Sequence, residues 1–151
     1  MTHQANSNTA SSVPPGAPEP ERAASTLLRL MPFAELVGIR LTEATADHVI
    51  GTLEWAEERC TAGGILHAGA LMALADTVAG ACAYLNLPTG ATTSTIESKT
   101  NFLRGVRAGH LTATGRPVHV GGHTIVVQTE IRDTSHRLVA LVTQTQAVLR
   151  Q

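Results

Sequence analysis

The stretch His67–Leu85 reads HAGALMALADTVAGACAYL, and its reading decides the fold. Ala, Leu and Met are strong helix formers, so the pattern predicts a helix from His67 to about Leu85. About eighteen residues at 1.5 Å each make a rod of roughly 27 Å. Its apolar residues surround the axis instead of forming one stripe, which predicts a helix buried on nearly all sides. Asn86–Gly90 ends it, because Pro88 and Gly90 forbid continuation. The run Ala68–Leu85 carries one charge and is long enough to span a bilayer. That reading fails on chemistry. Asp76 sits mid-run, where lipid burial costs roughly 2.5–3.5 kcal/mol. Weakly hydrophobic Ala is the commonest residue of the run, with no flanking Lys or Trp anchors.

Outward from this helix the pattern changes to strands. Before it, Ile39, Leu41, Val49, Leu53 and Trp55 alternate with Arg40, Thr42, His48, Thr52 and Glu54, the period of half-buried strands. Their turn falls around Thr45–Asp47, and Glu57–Gly64 is a loop broken by Thr61, Gly63 and Gly64. A short helix is expected over Ala24–Leu30, started by Ser25 or Thr26 and stopped near Pro32, with a further turn over Phe33–Val37. After the long helix come strands over Thr92–Leu103, Leu111–Val120, a run containing Ile125, Val127 and Ile131, and Leu138–Leu149. Pro117 predicts a bulge or an edge position. Gly121-Gly122 is a hairpin signal. The fold class is therefore α+β, with one antiparallel sheet curled around one long buried helix. Such a protomer leaves exposed sheet edges, which invite pairing with another chain. A dimer at least is expected.

Composition narrows the function. The 151 residues hold 11 cationic and 12 acidic side chains, for a formal charge of -1. Without a basic excess, non-specific nucleic-acid binding is not expected. Cys60 and Cys82 are too few for a disulfide framework and lack metal-ligand spacing. His110, His119, His123 and His136 fall on different strands and turns, again without ligand spacing, so no metal is expected. Residues 1–22 are rich in Ser, Asn, Pro and Ala and read as a mobile tail. Residues 23–151 then form a single domain. The N-terminus lacks the charged start and apolar run of a secretory signal, so the expected location is cytoplasmic, away from membranes.

The segment Gly64-Ile65-Leu66-His67-Ala68-Gly69, followed by Asp76 nine residues after the His, resembles the signature of hotdog-fold acyl-CoA thioesterases. The likeness is to the branch that includes the phenylacetate-pathway thioesterase and one type of 4-hydroxybenzoyl-CoA thioesterase. Glu97–Val106, with Arg104 following Phe102 and Leu103, is similar to that family's third strand, and Gly121-Gly122-His123 to its hairpin. The chain departs from the family in two places. Ala68 stands where relatives have the first Gly after the His, and Thr61 stands six residues before the His where they often have Asn or Gln. The resemblance implies hydrolysis of a small aromatic or short- to medium-chain acyl-CoA in a dimer or tetramer. It needs no cofactor beyond the coenzyme A carried by the substrate. It also implies that Asp76 of one subunit faces His67 and Ala68 of the partner subunit.

The chemistry assigns candidate roles. Thioester hydrolysis needs a group that polarises the carbonyl, and the unpaired N–H groups of a helix N-terminus, at Ala68 and Gly69, can do this. Gly69 equally suits a helix that starts close to the sheet. A carboxylate in an apolar helix is costly unless paired or functional. Asp76 is thus a general base for water, a nucleophile, or a carboxylate bonded to a neighbouring subunit. His67 orients the loop, caps the helix or contacts the thioester. Thr61 is a loop cap or a water-placing group. Thr95, or its neighbour Ser94, is a β-former to which the resemblance gives a hydroxyl near the acid. Arg104 and Arg107 are candidates for the phosphates of coenzyme A, because guanidinium pairs with phosphate in bidentate fashion. The resemblance adds Gly122 and His123. Met72, Leu71 and Tyr84 are expected in the core, and Cys82 is expected to be an inert buried thiol. The alternatives are a hotdog hydratase or dehydratase, which would move a proton at the acyl α-carbon, and a non-catalytic acyl-CoA-binding module.

Overall fold

A computed structural model of the chain describes residue 16 and residues 18–150. Most of the expected N-terminal tail, residues 1–15 and 17, lies outside the described residues. Its inner boundary is corrected. Helix α1 runs Glu19–Arg29 in place of the expected Ala24–Leu30, so the last four residues assigned to the tail are helical. Pro20 lies in the first turn, where a missing N–H breaks no helical bond. Glu19 and Glu21 in that turn and Arg29 in the last complement the helix dipole. Helix α2 follows at Pro32–Val37.

The strands are β1 Arg40–Ala44, β2 Val49–Glu54, β3 Ala91–Phe102, β4 His110–Val120, β5 Thr124–Asp133 and β6 Leu138–Arg150. They form one six-stranded sheet in the order β1-β2-β4-β5-β6-β3, antiparallel at every pairing. Helix α3, Ala68–Leu85, lies across the sheet's concave face and touches all six strands. Strand β3 follows α3 but pairs with β6, so it forms a free edge. The bulge expected at Pro117 is present, with a register shift between Pro117 and His119.

The core lies between α3 and the sheet. Leu74, Val78 and Cys82 face Leu53, Leu111, Ile125, Val127 and Ile131, all essentially inaccessible to solvent. Burying one such aliphatic side chain contributes about 1.5–3 kcal/mol. Glycines on β2 and β4 set how closely the helix approaches. A Cβ on Gly51 would come within 2.7 Å of Val78, and one on Gly115 within 2.8 Å.

The expected burial of α3 on nearly all sides is also corrected. Ala68, Met72, Asp76, Gly80 and Tyr84 recur every four residues and form a stripe that the sheet does not cover. Met72 and Tyr84, expected in the core, are 42% and 50% exposed, whereas Leu71 is buried. One six-stranded sheet wraps only part of a cylinder, so one helical face stays open. Among the described residues, α3 is the one helix long and apolar enough to cross a bilayer, and half of it is buried inside the protein. It is a core helix.

Candidate active site

The open stripe of α3 carries the candidate carboxylate. Asp76 projects from its middle, and its Oδ1 accepts hydrogen bonds from Gln144 Nε2 (2.9 Å) and Thr95 Oγ1 (3.3 Å). Among the described residues no other hydrogen bond is made to this carboxylate, so Oδ2 is free. Gln146 Nε2 donates to Thr95 Oγ1 at 2.9 Å, and Gln144 Nε2 also lies 3.4 Å from it. Thr93 Oγ1 sits 3.1 Å from Gln146 Oε1 and 2.9 Å from the Ala147 carbonyl, and extends the network.

Two local features of the sheet build this cluster. Strand β6 alternates, turning Val142, Gln144, Gln146 and Val148 inward. Strand β3 changes register between Thr95 and Glu97, so Ile96 is an extra residue. A bulge re-aims side chains, and here it lets Thr93 and Thr95 before it, and Ser98 and Thr100 after it, face the same side. Sequence reading named Thr95, or its neighbour Ser94, and the hydrogen bond to Asp76 belongs to Thr95. Gln144 and Gln146 were not foreseen. The signal was two amides at inward positions of an otherwise apolar alternation in Leu138–Leu149.

Beside Asp76 lies a cleft of about 260 Å³. Leu27, Leu30 and Met31 wall it from the α1 side, and Gly80, Tyr84 and Thr93 from the other. A Cβ on Gly80 would meet nothing within 4 Å.

The helix N-terminus forms a second centre. His67 is the N-cap of α3, and its Nδ1 accepts from the Gly69 N–H at 2.8 Å. This corrects the expectation that Ala68 and Gly69 both offer free donors. The N–H of Gly69 is taken by the imidazole, and that of Ala68, the first helical residue, has no partner among the described residues. The reason for glycine at 69 is steric as well, since a Cβ there would come within 2.9 Å of His67 Nδ1. The His67 N–H donates to the Arg59 carbonyl at 2.8 Å, which ties the cap to the preceding loop.

Thr61 is exposed in a tight turn, its N–H bonded to the Ile65 carbonyl (2.8 Å) and its hydroxyl to the Ala62 carbonyl (3.2 Å). It lines a groove of about 460 Å³ with Ala68, Leu71, Phe102 and Arg104. Arg107 donates to the Gly63 carbonyl of the same turn. Both arginines therefore lie near the N-terminus of α3. Gly122 and His123 do not. They sit in the β4–β5 hairpin, where the His123 carbonyl bonds the Val148 N–H. Val148 pairs with Thr93, whereas Phe102 at the other end of β3 pairs with Ala140. Eight residues of β6 at about 3.4 Å each separate the two ends by roughly 27 Å. Among the described residues no group of three His, Cys, Asp or Glu could hold a metal. Cys82 is buried, and burial pushes its thiol up to about 11 against an opposing pull from Arg116.

Residues 63–140 match the family model described as the thioesterase superfamily. ComA2 of Bacillus subtilis, named as a proposed esterase, is 34% identical over 119 residues, which is 78% of this chain and 94% of its own. The 1,4-dihydroxy-2-naphthoyl-CoA hydrolase of Listeria monocytogenes is 27% identical over 121 residues, 80% of this chain and 98% of its own. A Streptococcus pneumoniae structure, described as a hypothetical thioesterase protein with coenzyme A, superposes with a TM-score of 0.67. It shares 26% identity and covers 75% of this chain and 88% of its own.

Proposed function

The chain belongs to the thioesterase superfamily, with its hotdog fold, and from that premise we propose that it hydrolyses the thioester of a small aromatic or short- to medium-chain acyl-CoA. The observation that carries this reading is the Asp76 carboxylate, held through one oxygen by Gln144 and Thr95, with its other oxygen free beside an apolar cleft. The Listeria relative is named for an aromatic acyl-CoA, and coenzyme A is bound in the Streptococcus structure, which supports the substrate class.

The two centres of one chain do not act on one carbonyl. Eight helical residues separate Ala68 from Asp76, about 12 Å along the axis, whereas a reacting carbonyl needs its oxyanion donor and its attacking group each within about 3 Å. A second copy, with its α3 antiparallel across the open stripe, brings Ala68 of the partner subunit toward Asp76. We therefore assign the working unit to a dimer. The exposed β3 edge and the exposed Met72 and Tyr84 support it.

In this reading Asp76 takes a proton from water. The oxygen attacks the thioester carbon, and the carbonyl electron pair moves onto oxygen facing the Ala68 N–H of the partner subunit. Collapse breaks the C–S bond, and the proton leaves with the thiol. The same carboxylate attacking directly would give an anhydride that water then opens. Thr95 holds the carboxylate or the water. Thr61 shapes the turn beside the groove, and Arg104 and Arg107 pair with the phosphates of coenzyme A. Gly122 and His123 lie too far along the sheet to share that end of the same chain. Two unpaired cysteines support a reducing compartment such as the cytoplasm.

The test is free-thiol release from benzoyl-, phenylacetyl- and short- to medium-chain acyl-CoA esters. At least one ester is expected to be hydrolysed, with Asp76→Asn reducing kcat by about a hundredfold or more. Wild-type turnover by Asp76→Asn, or substrate consumed with no thiol released, overturns the reading, the second in favour of a hydratase.

A further inference from the structure

We propose that Gln144 is a positioning residue for this reaction: its side-chain amide fixes the rotamer of Asp76 and thereby the direction in which the free oxygen points. The inference rests on the reading of Asp76 as the acting carboxylate.

Gln144 is fully buried, at an inward position of β6 between Val142 and Gln146, where the remaining inward side chains are aliphatic. An amide there costs roughly 1–3 kcal/mol unless bonded at both ends. It is bonded at one. Nε2 reaches Asp76 Oδ1 at 2.9 Å, while Oε1 is buried with no partner among the described residues. The amide has to point this way round, because an ionised carboxylate only accepts.

On the single chain Asp76 is exposed on the open stripe of α3, and in the proposed dimer that stripe faces the partner's helix. In either setting the carboxylate needs a fixed orientation to act, since an unrestrained Asp samples several χ1 wells and a broad χ2. The Gln144 bond removes that freedom, with Thr95 as the second donor on the same oxygen. Thr95 is itself held by Gln146. Oδ2 is left as the free oxygen. Pre-setting a reacting group in this way raises the rate without strengthening substrate binding.

Gln144→Met keeps the length and apolar volume of the side chain and removes both donors. It is expected to lower kcat roughly ten- to hundredfold with KM changed less than about twofold. In an Asp76→Asn background the same substitution should cost less than about twofold further, because the residue acts through Asp76. Val142→Ala, one inward position away, controls for loosened packing and should lower Tm while leaving kcat near wild type. Gln144→Asn, which keeps the amide but shortens its reach, covers the case in which the Met variant does not fold, and the same loss of kcat is expected. A folded Gln144→Met or Gln144→Asn with wild-type kcat overturns the proposal, as does an equal loss with and without Asp76. If Asp76→Asn is inactive while Gln144→Met is normal, only the positioning role fails. If Asp76→Asn is fully active, the functional reading fails with it.

Discussion

Ala68 and Gly69 look interchangeable as donors at a helix start, and one hydrogen bond separates them. The imidazole of His67 folds back onto Gly69 N–H, so of the two donors the Ala68 N–H is the one without a partner among the described residues, and the proposed mechanism gives the reacting oxygen to it. Ala68 is the first helical position, where proline is tolerated, and the extended backbone of His67 suits a following proline. Ala68→Pro therefore removes one N–H with little change to the helix. It is expected to lower kcat about a hundredfold or more while circular dichroism stays unchanged. Cys82 gives a second prediction. Its thiol, pushed up to about 11 from an ordinary 9.0, stays protonated in the folded protein, so iodoacetamide at pH 8 should label Cys60 and spare Cys82 until urea unfolds the chain. The folded state holds this proton more tightly, so stability is full below pH 9 and falls as pH rises toward 11. Asp76 was legible because one charge in an apolar run stands out without any knowledge of the fold. Gln144 was not. A glutamine in a strand reads as outward and polar until the pleat is known.

Helix α3 sits where it does because β2 and β4 offer it bare backbone. Gly51 and Gly115 both lie against Val78, at separations that leave no room for a methyl group. Gly51→Ala is expected to cost about 1–3 kcal/mol in urea unfolding through overpacking. Combined with Val78→Ala, most of that cost should vanish, since the two changes share one space. If the penalties simply add, the close approach of helix and sheet is not what glycine serves. The strands were legible from alternation alone, and Ile39, Leu41, Val49, Leu53, Ile125, Val127 and Ile131 are all buried as that alternation requires. Two features escaped it. The start of α1 was placed late because Ser25 or Thr26 read as its cap and residues 1–22 as tail, although a first helical turn has no bond for Pro20 to break. The bulge at Ile96 leaves no mark in composition, yet it decides which hydroxyl of β3 meets Asp76.

At the scale of the whole molecule, the proposed site is split into two halves of one chain. Asp76 lies mid-helix and the free N–H lies at the helix start, and one rod cannot bend them together. Subunit mixing tests this. Asp76→Asn and Ala68→Pro are each expected to be nearly inactive, and exchanging their subunits should restore about a quarter of the wild-type rate. Half the dimers are then mixed, and each mixed dimer has one intact site of two. No recovery after exchange, verified by mass, would place both centres within one chain. Sequence alone determined the helix, the strands and the single carboxylate, because periodicity and one charge among alanines are local properties. Tertiary structure decided what that carboxylate touches. The exposed stripe and the buried amide behind Asp76 depend on how far one sheet can wrap one helix, and that geometry is written in no single segment.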